Sequence, residues 1–314
     1  MSTHVRTLLA ALSFAVAAIA VALWIRMFRV TGSDVEAVLA GLRWWTLPAI
    51  FGLLVIHVAM SALRWTRIET ALGGNPPPFR RAFLAGALAL GLGTFLPGPL
   101  ANVACRGLSN RFSGESGMRG AIGGGLDQIA DLAIVILLAV PAALAFSLRS
   151  PAVYVIGALV VSGIGWGISE VLSRGGGTQI ASYVSVRWPP IAPFFVRGLL
   201  VEIYALTLLR FLNLTAITLL IYVASRSGTF GAVLVSVPLV TLAISVTMLP
   251  GAFGSSEWSF TGVLSGFGVS SAEITAFVLT NRLILTSFGL ALGFIGALCS
   301  LRSSATRSPV SSAP

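Results

Sequence analysis

A series of long apolar segments, separated by short polar stretches, constrains the fold of this chain more than any other feature. Six of them, at residues 7–25, 45–63, 122–146, 152–172, 199–224 and 274–300, approach or exceed the roughly 20 residues that cross a bilayer as a helix. Only 10% of the 314 residues are charged, whereas soluble domains carry about 25%. The sequence therefore predicts an all-α, polytopic membrane protein with about six spanning helices.

One further apolar segment stops at a Pro-Gly break. Residues 82–96 would form only about 22 Å of helix, and they lead into LGTFLPGPLANVACRG, where Pro97 and Gly98 interrupt the helical pattern. This segment is too short to cross a membrane comfortably. We expect it to turn at the break and return to the same side as a re-entrant hairpin, because non-helical backbone at membrane depth is tolerated only where protein surrounds it or a cavity adjoins it.

A second break follows residues 230–249, which are long enough to span but contain Pro238. The motif MLPGAFGSSEW places this break at Pro250 and Gly251. If both broken segments are re-entrant, the arginines of the loops concentrate on the side of the N terminus, as the positive-inside rule requires. If both segments span, the arginines are nearly balanced, so we favour two re-entrant hairpins. A spanning second segment would misplace only two C-terminal arginines, and that alternative stays open.

The predicted domain organisation is simple. We interpret residues 1–301 as one integral-membrane domain with halves at 1–172 and 194–301, joined by a Gly/Ser/Pro-rich linker at 173–193. Residues 302–314 are rich in serine and are expected to form a disordered tail. We expect the protein to lie in the cytoplasmic membrane. Its eight apolar segments would then place both termini in the cytoplasm. Because the hairpins would enter from opposite sides, the halves resemble the inverted repeats of transporters.

Ionisable side chains within the apolar segments are the candidates for a polar site, because a charge at the bilayer centre costs at least ~2.5–3.5 kcal/mol and usually has a partner. The candidates are Arg106, Asp127, Asp131, Glu202, Arg210, Glu257 and Arg282. Asp127 and Asp131 share one helix face. Asp127 follows Pro97 by 30 residues and Arg282 follows Pro250 by 32, so we expect Asp127 and Arg282 to approach each other across a shared cavity. Ordinary interhelical salt bridges are the alternative explanation of these residues.

Other polar features receive structural interpretations. Arg64, Trp65 and Arg67 resemble an interfacial anchor at a helix end, and Gly120 with Gly124 indicates close helix packing. The net charge of +10 comes from arginines near the ends of apolar segments, which favours membrane anchoring over nucleic-acid binding. The few cysteines and histidines form no metal pattern. We expect no metal, no cofactor and no catalytic residues.

Three patches, in order, resemble the flippase-like family that includes the transmembrane region of lysylphosphatidylglycerol synthases. They are LGTFLPGPLANVACRG, GGGLDQIADL and the stretch from LPGAFGSSEW to GVSSAEITAFVLTNRL. The residues that fit the family pattern are Pro97, Gly98, Arg106, Asp127, Asp131, Pro250, Gly254, Glu257 and Arg282. The chain departs from it at Ala101-Asn102, where a Gly-acidic pair is usual, and at Gln128, where Arg is usual. These departures could reflect a different headgroup or a loss of transport.

The resemblance implies a lipid translocase that lacks the soluble aminoacyl-transfer domain. On this hypothesis Arg106, Arg282 and Arg210 bind a phosphate, since guanidinium suits bidentate oxyanion contacts. Asp127, Asp131, Glu202 and Glu257 hold those arginines or bind a cationic headgroup. The partner would be a phospholipid, glycolipid or prenyl-phosphate lipid, and a homo-oligomer is compatible with the sequence. The alternatives are a proton-coupled transporter of a small solute and a noncatalytic membrane subunit of a lipid-modifying system.

Overall fold

The computed structural model describes residues 31–173, 199–225 and 229–305, together with isolated residues between 18 and 27 and between 182 and 187. All secondary structure in this part of the chain is helical. The helices are α1 Gly32–Gly41, α2 Thr46–Ala71, α3 Phe79–Leu92, α4 Gly98–Phe112, α5 Gly117–Ser147, α6 Pro151–Val171, α7 Leu199–Ser225, α8 Phe230–Thr247, α9 Ser255–Gly266 and α10 Ser271–Ala305.

Among the described residues, six helices are long and apolar enough to cross a membrane, namely α2, α5, α6, α7, α8 and α10. Five of them correspond to predicted spans, and α8 is the first arm of the second predicted hairpin. The chain is therefore a multi-pass, all-α membrane protein. The predicted span at 7–25 and the linker at 173–193 lie largely outside the described residues. Helix α10 continues to Ala305, and the rest of the predicted tail also lies outside them.

Two details of the helices differ from the sequence interpretation. Helix α2 continues to Ala71 instead of ending at residue 63, and Arg64, Trp65 and Glu69 are buried in this added part. Helix α8 runs through Pro238 without interruption. Proline removes one backbone donor, but helices in membrane proteins tolerate this loss where neighbouring helices cover the backbone, and Pro238 is buried.

The first break joins two helices that fold back on each other. Helix α3 ends at Leu92 and α4 begins at Gly98, and the two helices pack together. The Arg81 guanidinium, near the start of α3, donates a hydrogen bond to the hydroxyl of Ser113, which follows α4 directly. The two open ends of this pair therefore lie side by side, next to the start of α5. We call α3, the break and α4 the first hairpin.

The second break forms a similar pair that opens in the opposite direction. Helices α8 and α9 pack together across the turn at Pro250–Ala252. Gly231, at the start of α8, lies against Pro151, and the Phe267 ring, just after α9, lies 5.9 Å from the Phe146 ring near the end of α5. The open ends of this second hairpin thus lie beside the end of α5, whereas those of the first hairpin lie beside its start.

The tips of the two hairpins touch. The backbone N–H of Gly251 donates to the carbonyl oxygen of Leu96 over 3.4 Å, and a Cβ on Gly251 would lie 2.5 Å from the carbonyl oxygen of Thr94. Gly251 also has a φ of +59°, a conformation that strains residues with a side chain. The contact between the breaks therefore depends on glycine at this position.

Helix α10 crosses the first hairpin at very short range. A Cβ on Gly293 would lie 2.6 Å from the Cα of Gly91 in α3, so small residues set the distance between these helices, as is common in membrane proteins. The main apolar core, which includes Phe277, is formed by residues of α2, α3, α7, α8, α9 and α10. The Phe260 and Phe277 rings meet edge to face at 5.0 Å.

Candidate functional site

Five charged side chains from four helices meet inside the helix bundle. Helix α2 contributes Arg64, α4 contributes Arg106, α5 contributes Asp127 and Asp131, and α7 contributes Arg210. We call these residues the charge cluster. Four of the five are predicted site residues, and the structure brings them into one connected set of ion pairs.

Arg64 is the centre of the charge cluster. Its Nε donates to Asp127 Oδ1, its Nη1 donates to Asp131 Oδ1 over 2.7 Å, and its Nη2 donates to the backbone oxygen of Asp127 over 3.1 Å. A further bond of 2.7 Å runs from Nη1 to the hydroxyl of Thr207 on α7. The Arg64 side chain is wholly buried. A single guanidinium thus joins α2, α5 and α7.

The interpretation of Arg64 and Trp65 as an interfacial anchor is wrong. Both residues are 0% exposed, because they lie in the part of α2 that continues beyond its predicted end. The Arg67 side chain pairs with Glu202 and is half exposed.

Arg106 holds the other side of Asp127. Its Nη2 lies 2.6 Å from Asp127 Oδ2 and donates to the Ser61 hydroxyl over 2.7 Å. The guanidinium also lies over the Trp65 ring, with its carbon 5.4 Å from the ring centroid, where the ring quadrupole attracts a cation. Gln128, which stands where the family pattern has Arg, lies 3.5 Å from the same carboxylate.

Arg210 and Asp131 form the accessible edge of the charge cluster. Arg210 Nη1 pairs with Asp131 Oδ2, and the two side chains are 14% and 27% exposed, whereas Arg64, Arg106 and Asp127 are at most 2% exposed. Arg210 Nε donates to His57 Nε2 over 3.1 Å.

The charge cluster contains one more cation than it contains anions. Three guanidiniums face two carboxylates, and each carboxylate already bonds two of the arginines. An unbalanced charge inside a protein is expensive, and within the described residues Arg210 and Asp131 are the more exposed members of the cluster. This edge is chemically suited to an added anion with oxygen acceptors.

Glycines on α5 make room for the charge cluster. A Cβ on Gly120 would lie 2.7 Å from the backbone oxygen of Arg106, and one on Gly124 would lie 3.1 Å from the Cα of Val103. A Cβ on Gly123 would collide with the carboxylate of Glu69. The prediction of close helix packing at Gly120 and Gly124 is confirmed, and α4 is the helix that packs there.

A second, smaller polar site lies at the tip of the second hairpin. Arg282 of α10 pairs with Glu257 of α9 through Nε at 2.7 Å and through Nη2 at 2.5 Å. It also donates to the backbone oxygens of Gly251 and Ala252, over 2.6 and 3.1 Å, and to the Ser256 hydroxyl over 2.7 Å. The ring of Phe253 covers the guanidinium at 4.4 Å.

This second site, which we call the Arg282 clamp, is balanced in charge. One arginine meets one carboxylate, and the remaining contacts of Arg282 go to the Ser256 hydroxyl and to the backbone of the break. The expected approach of Asp127 and Arg282 is not found, because the ion-pair partners of Asp127 are Arg64 and Arg106. Arg282 fixes the shape of the second break instead.

Glu202 lies apart from both sites. Its carboxylate pairs with Arg67 Nε over 2.8 Å, and the two side chains are 40% and 54% exposed. Within the described residues, no group of three or more His, Cys, Asp or Glu side chains is arranged to hold a metal ion. The candidate site is therefore built from guanidinium, carboxylate and hydroxyl groups.

Spanning helices, two helical hairpins with touching tips and a buried set of ion pairs define a class of helical membrane proteins with a charged interior. Within that class the sequence identifies the family. The chain belongs to the family described as the lysylphosphatidylglycerol synthase TM region, whose pattern it matches over residues 10–293. The resemblance read from the three sequence patches is thereby confirmed. Neither the curated proteins nor the solved structures contain a match to this chain.

Proposed function

We propose that this protein moves a lipid with an anionic, phosphate-containing headgroup between the leaflets of the cytoplasmic membrane. The headgroup binds at the Arg210 edge of the charge cluster while the acyl or prenyl chains stay in the surrounding lipid. The protein acts as a translocase rather than an enzyme. Its partner is the membrane lipid itself, and membership of a lipid-related membrane family supports this assignment.

The observation that carries the proposal is the surplus cation of the charge cluster. Three arginines and two aspartates leave one positive charge, and the accessible part of the cluster is Arg210 with Asp131. Two oxygens of a phosphate could accept hydrogen bonds from a guanidinium in the manner typical of arginine. The Arg282 clamp offers no such surplus, so Arg282 is less suited to the phosphate-binding role than Arg210.

The proposed topology has two re-entrant hairpins in an inverted arrangement. The first hairpin opens beside the start of α5 and the second beside its end, and their tips meet between these ends. This arrangement supports entry from opposite sides of the membrane, as in transporters with broken helices. On this topology the first hairpin opens to the cytoplasm.

Lipid movement in reconstituted vesicles tests the proposal. Proteoliposomes that contain fluorescent phosphatidylglycerol are expected to expose the inner-leaflet probe to external dithionite faster than protein-free vesicles. Arg210→Gln removes the surplus charge, and Asp131 keeps its bond to Arg64, so this variant is expected to fold and to lose most of the movement. Arg67→Gln removes an equal charge outside the cluster and serves as the matched control.

Two outcomes would overturn the proposal. Wild-type protein that moves no lipid, or Arg210→Gln protein that moves lipid at the wild-type rate, would each contradict headgroup binding at this edge. Uptake of a water-soluble solute with a proton gradient, in vesicles where no lipid moves, would instead favour the proton-coupled solute transporter.

Cysteine labelling tests the topology separately. Phe112 is exposed at the open end of the first hairpin, and Ser265 is exposed at that of the second. In a background without Cys105 and Cys299, Phe112→Cys is expected to react only from the cytoplasmic side and Ser265→Cys only from outside. Reaction of both positions from one side would contradict the inverted arrangement.

A further inference from the structure

Glu69 is a buried carboxylate that none of the preceding contacts explains. It lies in the last turn of α2, is 1% exposed and is covered by α4 and α5. Within the described part of the chain, no arginine lies within ion-pair distance of it. Its oxygens instead accept hydrogen bonds from two neutral donors, Trp65 Nε1 at 3.2 Å and Asn110 Nδ2 at 2.9 Å.

The guanidiniums near Glu69 have their ion-pair partners elsewhere, and Arg106 Nη1 is buried without a hydrogen-bond partner among the described residues. Arg106 of α4 pairs with Asp127, Arg119 of α5 pairs with Glu115, and Arg67 of the same helix pairs with Glu202. Helix α3 contributes Ala82, Ala85 and Phe83 to the apolar cluster around the neighbouring Trp65 ring. A buried carboxylate that has only neutral partners is costly, so an ionised Glu69 needs a compensating charge nearby.

That compensating charge is the surplus cation of the charge cluster. Trp65 links the two groups, since its indole N–H donates to Glu69 and its ring lies under Arg106. Arg106, Asp127, Arg64, Asp131 and Arg210 then follow in an unbroken series of ion pairs. When all six groups are ionised, three positive and three negative charges balance.

An added anion breaks this balance. A phosphate bound at Arg210 leaves the series with one excess negative charge inside the bundle, where charges interact strongly because the effective dielectric constant is low. Protonation of Glu69 removes that excess. The protonated carboxyl also has an acceptor at hand, because Asn110 Oδ1 is buried without a hydrogen-bond partner among the described residues, and rotation of the amide would turn that oxygen toward Glu69.

We propose that Glu69 binds one proton when an anionic headgroup binds at Arg210, so that headgroup and proton are taken up together. The proton comes from the aqueous phase on the side where α2 ends and resides on a carboxylate oxygen of Glu69. This inference rests on the proposed headgroup site and adds a co-substrate to it. It would link lipid binding, and with it lipid movement, to the proton concentration.

Calorimetry with a water-soluble lipid tests the inference. Dihexanoyl phosphatidylglycerol is titrated into the purified protein in two buffers of different ionisation enthalpy at pH 7, and the difference in heat gives the number of protons taken up. Wild-type protein is expected to take up close to one proton per bound lipid. Its dissociation constant then rises up to about tenfold for each unit of increasing pH over the range where the proton is bound.

Two variants complete the test. Glu69→Gln carries a permanent neutral amide, so it is expected to bind the lipid without proton uptake and with an affinity that does not change with pH. Glu202→Gln makes the same chemical change in an exposed ion pair and is expected to behave as the wild type.

The outcomes separate the two proposals. Lipid binding without proton uptake in the wild type, or uptake that persists in Glu69→Gln, overturns the role of Glu69 and leaves the headgroup site in place. Absence of lipid binding in the wild type overturns the headgroup site itself, and the linkage with it. If Glu69→Gln protein does not fold, the pH dependence of wild-type binding alone decides, since a pH-independent dissociation constant contradicts the linkage.

Discussion

The charge cluster and the Arg282 clamp each include an arginine that follows a Pro-Gly break, Arg106 and Arg282, but they are built in different ways. In the cluster, side chains from four helices pair with one another. In the clamp, one arginine bonds one carboxylate, a neighbouring hydroxyl and the backbone of the break itself. The five residues of the cluster include one more cation than anions, whereas the clamp pairs one cation with one anion. Similar sequence patterns thus accompany a network of ion pairs in one case and a fixed turn in the other.

The largest expected effect comes from removal of Arg64. Arg64→Gln leaves the wholly buried Asp127 with one of its two arginines, and we expect a loss of about 3–5 kcal/mol in the free energy of unfolding, as for other broken buried ion pairs. Thermal unfolding in nanodiscs measures this loss. Arg67→Gln, only three residues away but half exposed, is expected to cost no more than about 1 kcal/mol. Equal losses in both variants would mean that Arg64 is not the centre of the cluster.

Double-mutant cycles compare the two sites directly. Arg64→Gln and Asp127→Asn change two residues in contact, so their effects on stability are expected to depart from additivity by up to about 3 kcal/mol. Asp127→Asn and Arg282→Gln change residues without a shared bond, and their effects are expected to add within about 0.5 kcal/mol. Strong coupling of Asp127 with Arg282 would restore the idea of a shared cavity between them.

The two break glycines should differ in their tolerance of alanine. Gly251 has a positive φ, and a Cβ there would lie 2.5 Å from Thr94 O, so Gly251→Ala is expected to cost about 1–3 kcal/mol of stability. A Cβ on Gly98 would meet nothing within 4 Å. Gly98→Ala is therefore expected to stay within about 0.5 kcal/mol of the wild type. A larger loss for Gly98→Ala, measured by the same thermal unfolding, would contradict the asymmetry of the breaks.

The fold class and most of the charge cluster could be predicted from the sequence, because hydropathy reports helices directly and charges in apolar segments need partners. Which charges meet could not be predicted. Arg64 lies at the position where an interfacial anchor is expected, and the packing of α5 and α7 against α2 buries it. The similar spacing of Asp127 and Arg282 from their prolines, 30 and 32 residues, did not predict a contact, since spacing along the chain does not fix which helix faces which.

The position of Arg64 along the chain has a consequence for biosynthesis. Its partner Asp127 is 63 residues further on, and at a synthesis rate of about 5–20 residues per second this separation corresponds to roughly 3–13 s. During that interval a guanidinium with no carboxylate stands near the end of the first segment that is described as a span. The lipid interface can hold such a side chain by its flexible stem. Helix α2 would then reach its final depth in the membrane only after α5 has been synthesised. Formation of the Arg64–Asp127 ion pair would thus be a step of membrane insertion as well as part of the finished protein.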